Sequence, residues 1–477
     1  MPSTPPPASF ARRDVLRFAA FSAAQLALLG CRSGPLPSPE ARGASGRSPG
    51  RFGPLITGPG GLLDLPAGFA CVSLQRAGVD ALDDGRPVPG CLDGMACFEN
   101  PDGTWTLLRN HEIGDAAWVD EYRYTGQAKI VRWGVADAPV DPSMHGGVSR
   151  LVVDPVALRA ALAGQAPGGP VVRSTRMALT GTDCNCSGGR FAEGWVSCEE
   201  TDTPGHGYPY LISPAAPVGG GPGPRRLDAW GRLRREGVAL GNGVVYMTED
   251  APDACFYRFV PASAGDPFGA GRLEVMSIPG RPTTHEPGRA VLPPDFEAEV
   301  TWLPVPDPHA REVPCRRQVP AATRFCRCEG IVWYGRAAWF SATQGGRLGK
   351  GQLFRLTPGE TPGRDRLRLM IQVEDPRTLS LPDNLARAPW GDLLICEDNY
   401  SSDAVITHQH IRGLTPAGDL YDLARNPRNT PVSPGEAPGD EFTGPCFSPD
   451  GTILFVNMQG ERDETLAIAG PFPSHGG

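Results

Sequence analysis

The sequence predicts an all-β protein, a six-bladed β-propeller with long loop insertions. Three observations lead there. The chain of 477 residues carries Gly 61 and Pro 52, and nothing beyond its N-terminus has the apolar spacing of a long amphipathic helix. Short apolar strands recur that stop in polar or acidic residues. They repeat at roughly fifty to ninety residues, the period of a radial architecture in which each unit is one blade.

In chain order these strands are TWTLLRNHE ending at Glu112, GWVSCEE at Glu200, GVVYMTED at Asp250, AAWFSAT at Thr343, DLLICED at Asp398 and TILFVNMQ at Gln459. Several lead through a loop into a further strand such as CFYRFVPA (255–262) or GQLFRLTPG (351–359). NLARAPWGDLLICED reads as strand, Gly turn and strand, a β-hairpin. Inner propeller strands run along a central axis, so residues at these ends, scattered in sequence, become neighbours at the channel mouth. A β-sandwich with acidic loops is the alternative. The Pro/Gly-rich excursions at 280–322 and 420–440 read as loops on the propeller faces, one of which could cover the channel.

The N-terminus reads as an address. FARRDVLRFAAFSAAQLALLGC (10–31) sets Arg12 and Arg13 before an apolar stretch too short to span a membrane. It resembles a twin-arginine export signal, which implies the export machinery as a partner and a periplasmic or extracellular destination. The closing LLGC resembles a lipobox, with Cys31 a candidate lipid anchor; plain cleavage without lipid is the alternative. Residues 32–52 are rich in Pro, Gly and Ser and read as a disordered tether. A single domain is expected over 53–470, as a monomer. Net charge is −8 with no cationic stripe, which argues against nucleic acid and anionic lipid as partners. Thirteen cysteines in an exported chain suggest some disulfides. Zinc is not expected, since no CxxC pair occurs and the His residues are scattered.

Converging strand ends would gather Glu112, Glu199, Glu200, Glu249, Asp250, Glu329, Glu397 and Asp398. Carboxylates so crowded repel, and some would protonate unless cations neutralised them. Oxygen ligands suit calcium and ferric iron, and Cys186 of GTDCNCSGGR would add a thiolate that favours iron. A single CED or TED is ordinarily a solvated strand end; recurrence in at least four of six units is not. Cys184 and Cys198 read as core or disulfide residues, His145 as a loop residue near the mouth. His111 is either a ligand or acid/base group, or points away from the mouth with its strand.

These motifs resemble a family. RNHE (109–112), NCSGG (185–189), CEE (198–200), TED (248–250), CFYRFV (255–260), RCEG (327–330), PDNL and GDLLICED within 382–398, and FTGPCFSPDGTILFVNMQ (442–459) together resemble the PhoX-type alkaline phosphatases. The order is the same, across roughly residues 60–460. The resemblance implies an iron–calcium cluster and hydrolysis of phosphate monoesters, with diesters as a further substrate class. Carried over by motif, Asn110, Glu112, Cys186, Glu199, Glu200, Glu249, Glu329, Glu397 and Asp398 would hold metal, and Arg327 would grip phosphate. Arg327 and Glu329, two apart, would share one strand face. Cys328 stands where the family usually has Pro. Two other readings remain: a calcium-dependent lactonase-like hydrolase, which needs neither Cys186 nor Arg327, and a non-catalytic surface lipoprotein.

Overall fold

The computed structural model describes residues 50–473 except 59–60, 118, 120–138, 216–222, 287, 290, 361–363, 400–407, 429–439 and 461. The export segment, Cys31 and most of the tether therefore lie outside the described residues. Six antiparallel sheets follow one another along the chain. Their innermost strands are Leu92–Glu99, Asn185–Arg190, Arg235–Gly241, Cys328–Tyr334, Pro382–Arg387 and Glu441–Phe447. Each packs against the next, and the sixth packs against the first, so the sheets close into a ring as blades I to VI. The fold is the six-bladed propeller that the repeat predicts.

Long apolar runs follow from this arrangement. A blade buries both faces against its neighbours, so its strands need not alternate apolar and polar residues. In Leu393–Glu397, Leu394 and Cys396 pack toward blade VI, while Leu393 and Ile395 pack toward blade IV. Tyr246 faces blade IV and its neighbours Val245 and Met247 face blade II. Each of the six blade interfaces carries its own apolar cluster. Burial of this kind contributes about 25 cal/mol per Å² of apolar surface, and here it is spread around the ring.

The ring is closed by the N-terminal segment. Ala70–Arg76 forms the outer strand of blade VI, paired antiparallel with Glu464–Ala469. Leu55–Thr57 and Asp64–Pro66 extend the outer edge of blade V. Pairing strands from the two chain ends covers an edge that would otherwise stand open. Just upstream, Phe52 sits edge-on among Phe69, Trp390, Tyr421 and Phe472, and Arg51 pairs with the buried Asp392 at 3.0 Å. Asp392 lies at the start of the strand that ends in Glu397, so this aromatic knot sits at the propeller end opposite the mouth.

Three expectations need revision. The strands that end in acids are the second of each blade; the innermost strand precedes each one. The excursion 280–322 is more than a loop, because Thr301–Pro304 adds an edge strand to blade III and Glu297–Glu299 one to blade IV. Leu420–Arg425 likewise is the fourth strand of blade V rather than loop. No disulfide joins the twelve described cysteines, most of which are buried as apolar filling between blades.

Candidate metal centre at the channel mouth

All six innermost strands carry the same irregularity in their first half. In blade I, Leu92 pairs with His111 and Met95 with Arg109, which leaves Asp93 and Gly94 opposite one residue, Asn110. The same two-against-one bulge holds Cys186 and Ser187, Glu236 and Gly237, Glu329 and Gly330, Asp383 and Asn384, and Gly444 and Pro445. A bulge re-aims side chains that regular pairing would send to a blade face. Its second position is glycine in blades I, III and IV because the next blade's bulge packs there. A Cβ at Gly330 would lie 2.1 Å from the Asp383 carbonyl oxygen, and one at Gly94 2.7 Å from the Ser187 Cα.

The first bulge position thus supplies an inner ring: Asp93, Cys186, Glu236, Glu329 and Asp383, with Gly444 in blade VI. The residue that follows the second strand supplies an outer ring: Glu112, Glu200, Asp250, Thr343 and Asp398. Ligand atoms of Asp93, Glu112 and Cys186 lie within 4.8 Å of one another, as do those of Cys186, Glu200 and Glu236. The Cys186 thiol donates to Asp93 Oδ2 at 3.2 Å. Blade VI adds an amide, Gln459, which donates to Asp93 at 3.1 Å and Glu112 at 3.2 Å.

The electrostatics are those of a crowded, dry group of acids. Burial, with Glu112 and Asp383 nearby, pushes the Asp93 pKa well up; burial with Glu200 and Asp383 does the same to Glu236. Burial also raises Glu329, against the pull of Arg327. Asp383 is raised to about 7 by burial and Asp398, and Glu200 to about 8 chiefly by burial. Burial and Asp93 push the Cys186 thiol up. Asp250 goes the other way: burial opposes it, yet Arg327 and Arg234 hold its carboxyl below the usual range. Asp93 Oδ1, Glu236 Oε1 and Asp398 Oδ1 are buried with no hydrogen-bond donor among the described residues.

The structure brings Glu112, Cys186, Glu200, Glu329, Asp398 and Arg327 together, and sets four sequence-predicted ligands aside. Glu199 accepts from the amides of Asp183, Gly207 and Tyr208 and from His206. Glu249 accepts from the Cys255 amide, the Tyr257 hydroxyl and Arg316, and Glu397 from the Ser380 amide, His410 and Arg412. Asn110 donates to the carbonyls of Cys186 and Ser187 and accepts from Trp195. Protein donors already occupy these oxygens. In CEE, TED and CED the first acid braces its own blade and the second faces the channel, as strand alternation requires. His111, which precedes Glu112, is likewise turned inward to Gly90 O at 3.1 Å and Ser149 Oγ at 2.8 Å.

Sequence reasoning missed Asp93, Glu236 and Asp383. The signal was present as LDG, REG, CEG and PDN, an acid followed by a small or polar residue at the head of a strand, seen only at CEG. Arg327 reaches the channel by another route than strand alternation. It precedes its strand with φ 53°, donates to Ala251 O and accepts from the Thr343 amide. Cys91, Cys184 and Leu381 stand at the same place with φ of 50°, 51° and 47°. A left-handed non-glycine residue is costly, and its repetition marks it as part of the blade design. The Arg327 guanidinium meets Asp250 at 3.0 Å, Asp398 at 3.5 Å and Glu329.

One brace carries a pH dependence. Burial alone would lower the His206 pKa, but Glu199 at 2.7 Å, with Asp183 and Asp141, raises it from 6.5 to about 9. The folded state therefore holds a proton that the unfolded chain releases near 6.5. The stability from this pair is complete below that pH and is lost as pH climbs through about 9. Thermal melts between pH 6 and 10 should show a falling Tm that His206→Gln flattens; parallel curves would assign the decline elsewhere.

The family model for alkaline phosphatase PhoX matches residues 50–461. Among solved structures, PhoX of Pseudomonas fluorescens in complex with vanadate, a transition state analogue, is similar at 18% identity. The match covers 87% of this chain and 97% of that one, with a TM-score of 0.61. The periplasmic gluconolactonase PpgL of Pseudomonas aeruginosa is similar at 15% identity, over 80% of this chain and 86% of that one, with a TM-score of 0.31. No curated protein matches the sequence.

Proposed function

The chain belongs to the PhoX alkaline phosphatase family, and from that premise we propose that it hydrolyses phosphate monoesters at a metal-loaded channel mouth, outside the cytoplasm. One observation carries the reading most of all. Five inner-ring side chains, four carboxyls and a thiol, converge from five blades, and buried oxygens of Asp93 and Glu236 have no donor among the described residues. Buried acids without partners are costly, and cations are what such a group accommodates.

The donor set fits the expected metals. Cys186 with Asp93, Glu112, Glu200 and Glu236 offers one thiolate among carboxylates, a set suited to iron. Glu329, Asp383 and Asp398 offer oxygens alone, a set suited to calcium. When bound, the metals would supply Lewis acidity toward phosphoryl oxygens. The chain's own residues do the rest. Arg327, anchored by Asp250 from below, presents a planar two-point grip that fixes the phosphate and offsets charge developing on it. Asp250 remains charged beside it and holds the guanidinium in that orientation. Gln459 keeps Asp93 and Glu112 together on the blade I side, so the ring does not depend on one strand alone.

Export rests on the twin-arginine segment, and an anchor at Cys31 on the LLGC string that closes it. The lactonase reading is disfavoured because a thiol and a phosphate-sized guanidinium fork have no task there. The test is 4-nitrophenyl phosphate hydrolysis by protein purified with its metals, before and after chelation, with elemental analysis. Turnover that disappears with loss of iron and calcium is expected. Protein holding calcium alone that cleaves lactones and leaves the ester intact would overturn the reading.

A further inference from the structure

The excursion between blades III and IV supplies a buried cation beside the mouth. Arg316 sits on the one-turn helix Cys315–Gln318. Gln318 pins that helix by donating to Asp307 O and Val313 O, each at 2.8 Å, and by accepting from the Asp307 amide. The Arg316 side chain is only 6% exposed, and burying a guanidinium is costly unless acids answer it. Three do, from two other segments. Nη1 donates to Asp202 Oδ1 at 3.0 Å and Glu249 Oε1 at 3.1 Å, Nη2 to Asp202 Oδ2 at 2.6 Å, and Nε to Asp253 Oδ1 at 3.2 Å.

These acids flank channel residues along the chain. Asp202 lies two residues beyond Glu200, and Glu249 directly precedes Asp250. Glu249 is fully buried. The Cys255 amide and the Tyr257 hydroxyl both donate to its Oε2, and Arg316 takes Oε1. Without Arg316 this carboxylate would lose the cation at Oε1 and keep neutral donors at Oε2. The next two residues are what hold Arg327. Asp250 meets its guanidinium at 3.0 Å, and the Ala251 carbonyl accepts from its amide at 2.9 Å. Glu249, Asp250 and Ala251 therefore link Arg316 to Arg327 through three consecutive residues.

We propose that Arg316 is a positioning residue for the reaction: by fixing Glu249 it fixes Asp250 and Ala251, and through them the aim of Arg327. This rests on the phosphatase reading above and on the place of Arg327 in it. Arg316 acts through these neighbours, not on the phosphate. A guanidinium suits the task because its rigid fork engages carboxylates from two segments at once, where an ammonium offers one point of charge. A small displacement of a group that grips a transition state costs rate well out of proportion to its size.

The test is a double-mutant cycle on metal-loaded protein. Turnover of 4-nitrophenyl phosphate and bound iron and calcium are measured for wild type, Arg316→Met, Arg327→Met and the pair. Arg316→Met should lower kcat about tenfold or more, with KM changed less and metal content unchanged. In the Arg327→Met background it should cost nothing further, since the group it aims is gone. Arg316→Lys should recover part of kcat, because charge returns without the fork, and it takes the same place in the cycle if Arg316→Met does not fold. Unchanged kcat, the same fold-loss in both backgrounds, or a loss that tracks missing metal would overturn the assignment. A wild type inert toward the ester removes the phosphatase reading, and full activity in Arg327→Met removes the role of Arg327; the inference falls with either.

Discussion

Arg327→Met should lower kcat/KM for phosphate monoesters about a hundred- to thousandfold, the usual cost of deleting a preorganised donor to a charged transition state. The effect should fall largely on kcat, because the fork is most useful where negative charge is developing. Arg327→Lys should restore little, since an ammonium cannot hold Asp250 and phosphate in one plane. A second readout separates substrate binding from scaffolding. In metal-free protein Arg327 is the partner of Asp250, Glu329 and Asp398, and its removal leaves buried acids uncompensated at a cost of roughly 3 kcal/mol. In loaded protein that penalty should shrink, while the loss of turnover stays. Urea unfolding and initial rates on both forms check this. Full activity in Arg327→Met would end its proposed role.

Glu236→Gln should act with opposite signs on stability and on function. Glu236 is 2% exposed, one of its oxygens has no donor among the described residues, and burial with Glu200 and Asp383 pushes its pKa well up. In metal-free protein it must either stay protonated, at a cost that grows with pH, or carry a repelled charge. Glutamine keeps the shape and removes the ionisation. The metal-free variant should therefore be more stable than wild type by about 1–3 kcal/mol, with the gain larger at pH 8 than at pH 6. The same change should reduce bound iron and cut turnover at least about a hundredfold. Such opposition is the signature of a site that gives up stability for function. A metal-free variant less stable than wild type would show Glu236 to be structural.

The blades were legible because propeller strands bury both faces. Continuous apolar strings such as LLIC and ILFV, each closed by polar residues, have few other homes. The site was legible only in part, for a reason of register. In CEE, TED and CED two acids stand side by side, and alternation sends one into the blade and the other to the channel. Which goes where depends on pairing with an innermost strand whose bulge shifts the register by one residue. Without that bulge, Glu199, Glu249 and Glu397 have as good a claim as Glu200, Asp250 and Asp398. Asp93, Glu236 and Asp383 stayed hidden for the same reason, since each lies at the head of a strand with no apolar run before it. Arg327 meets Asp250, Glu329 and Asp398 by way of a left-handed backbone just before its strand, not by the strand alternation that suggested it.

If the chain is anchored upstream, the knot of rings around Phe52, with the Arg51–Asp392 pair beside it, sets which way the molecule faces. The polypeptide enters the wheel through its blunt back, far from the acids. A leash fixed anywhere upstream of Gly50 would pull on that back, and the open side would turn toward the bulk fluid. Solutes drifting past such a moored molecule would reach the acids without squeezing between protein and mooring.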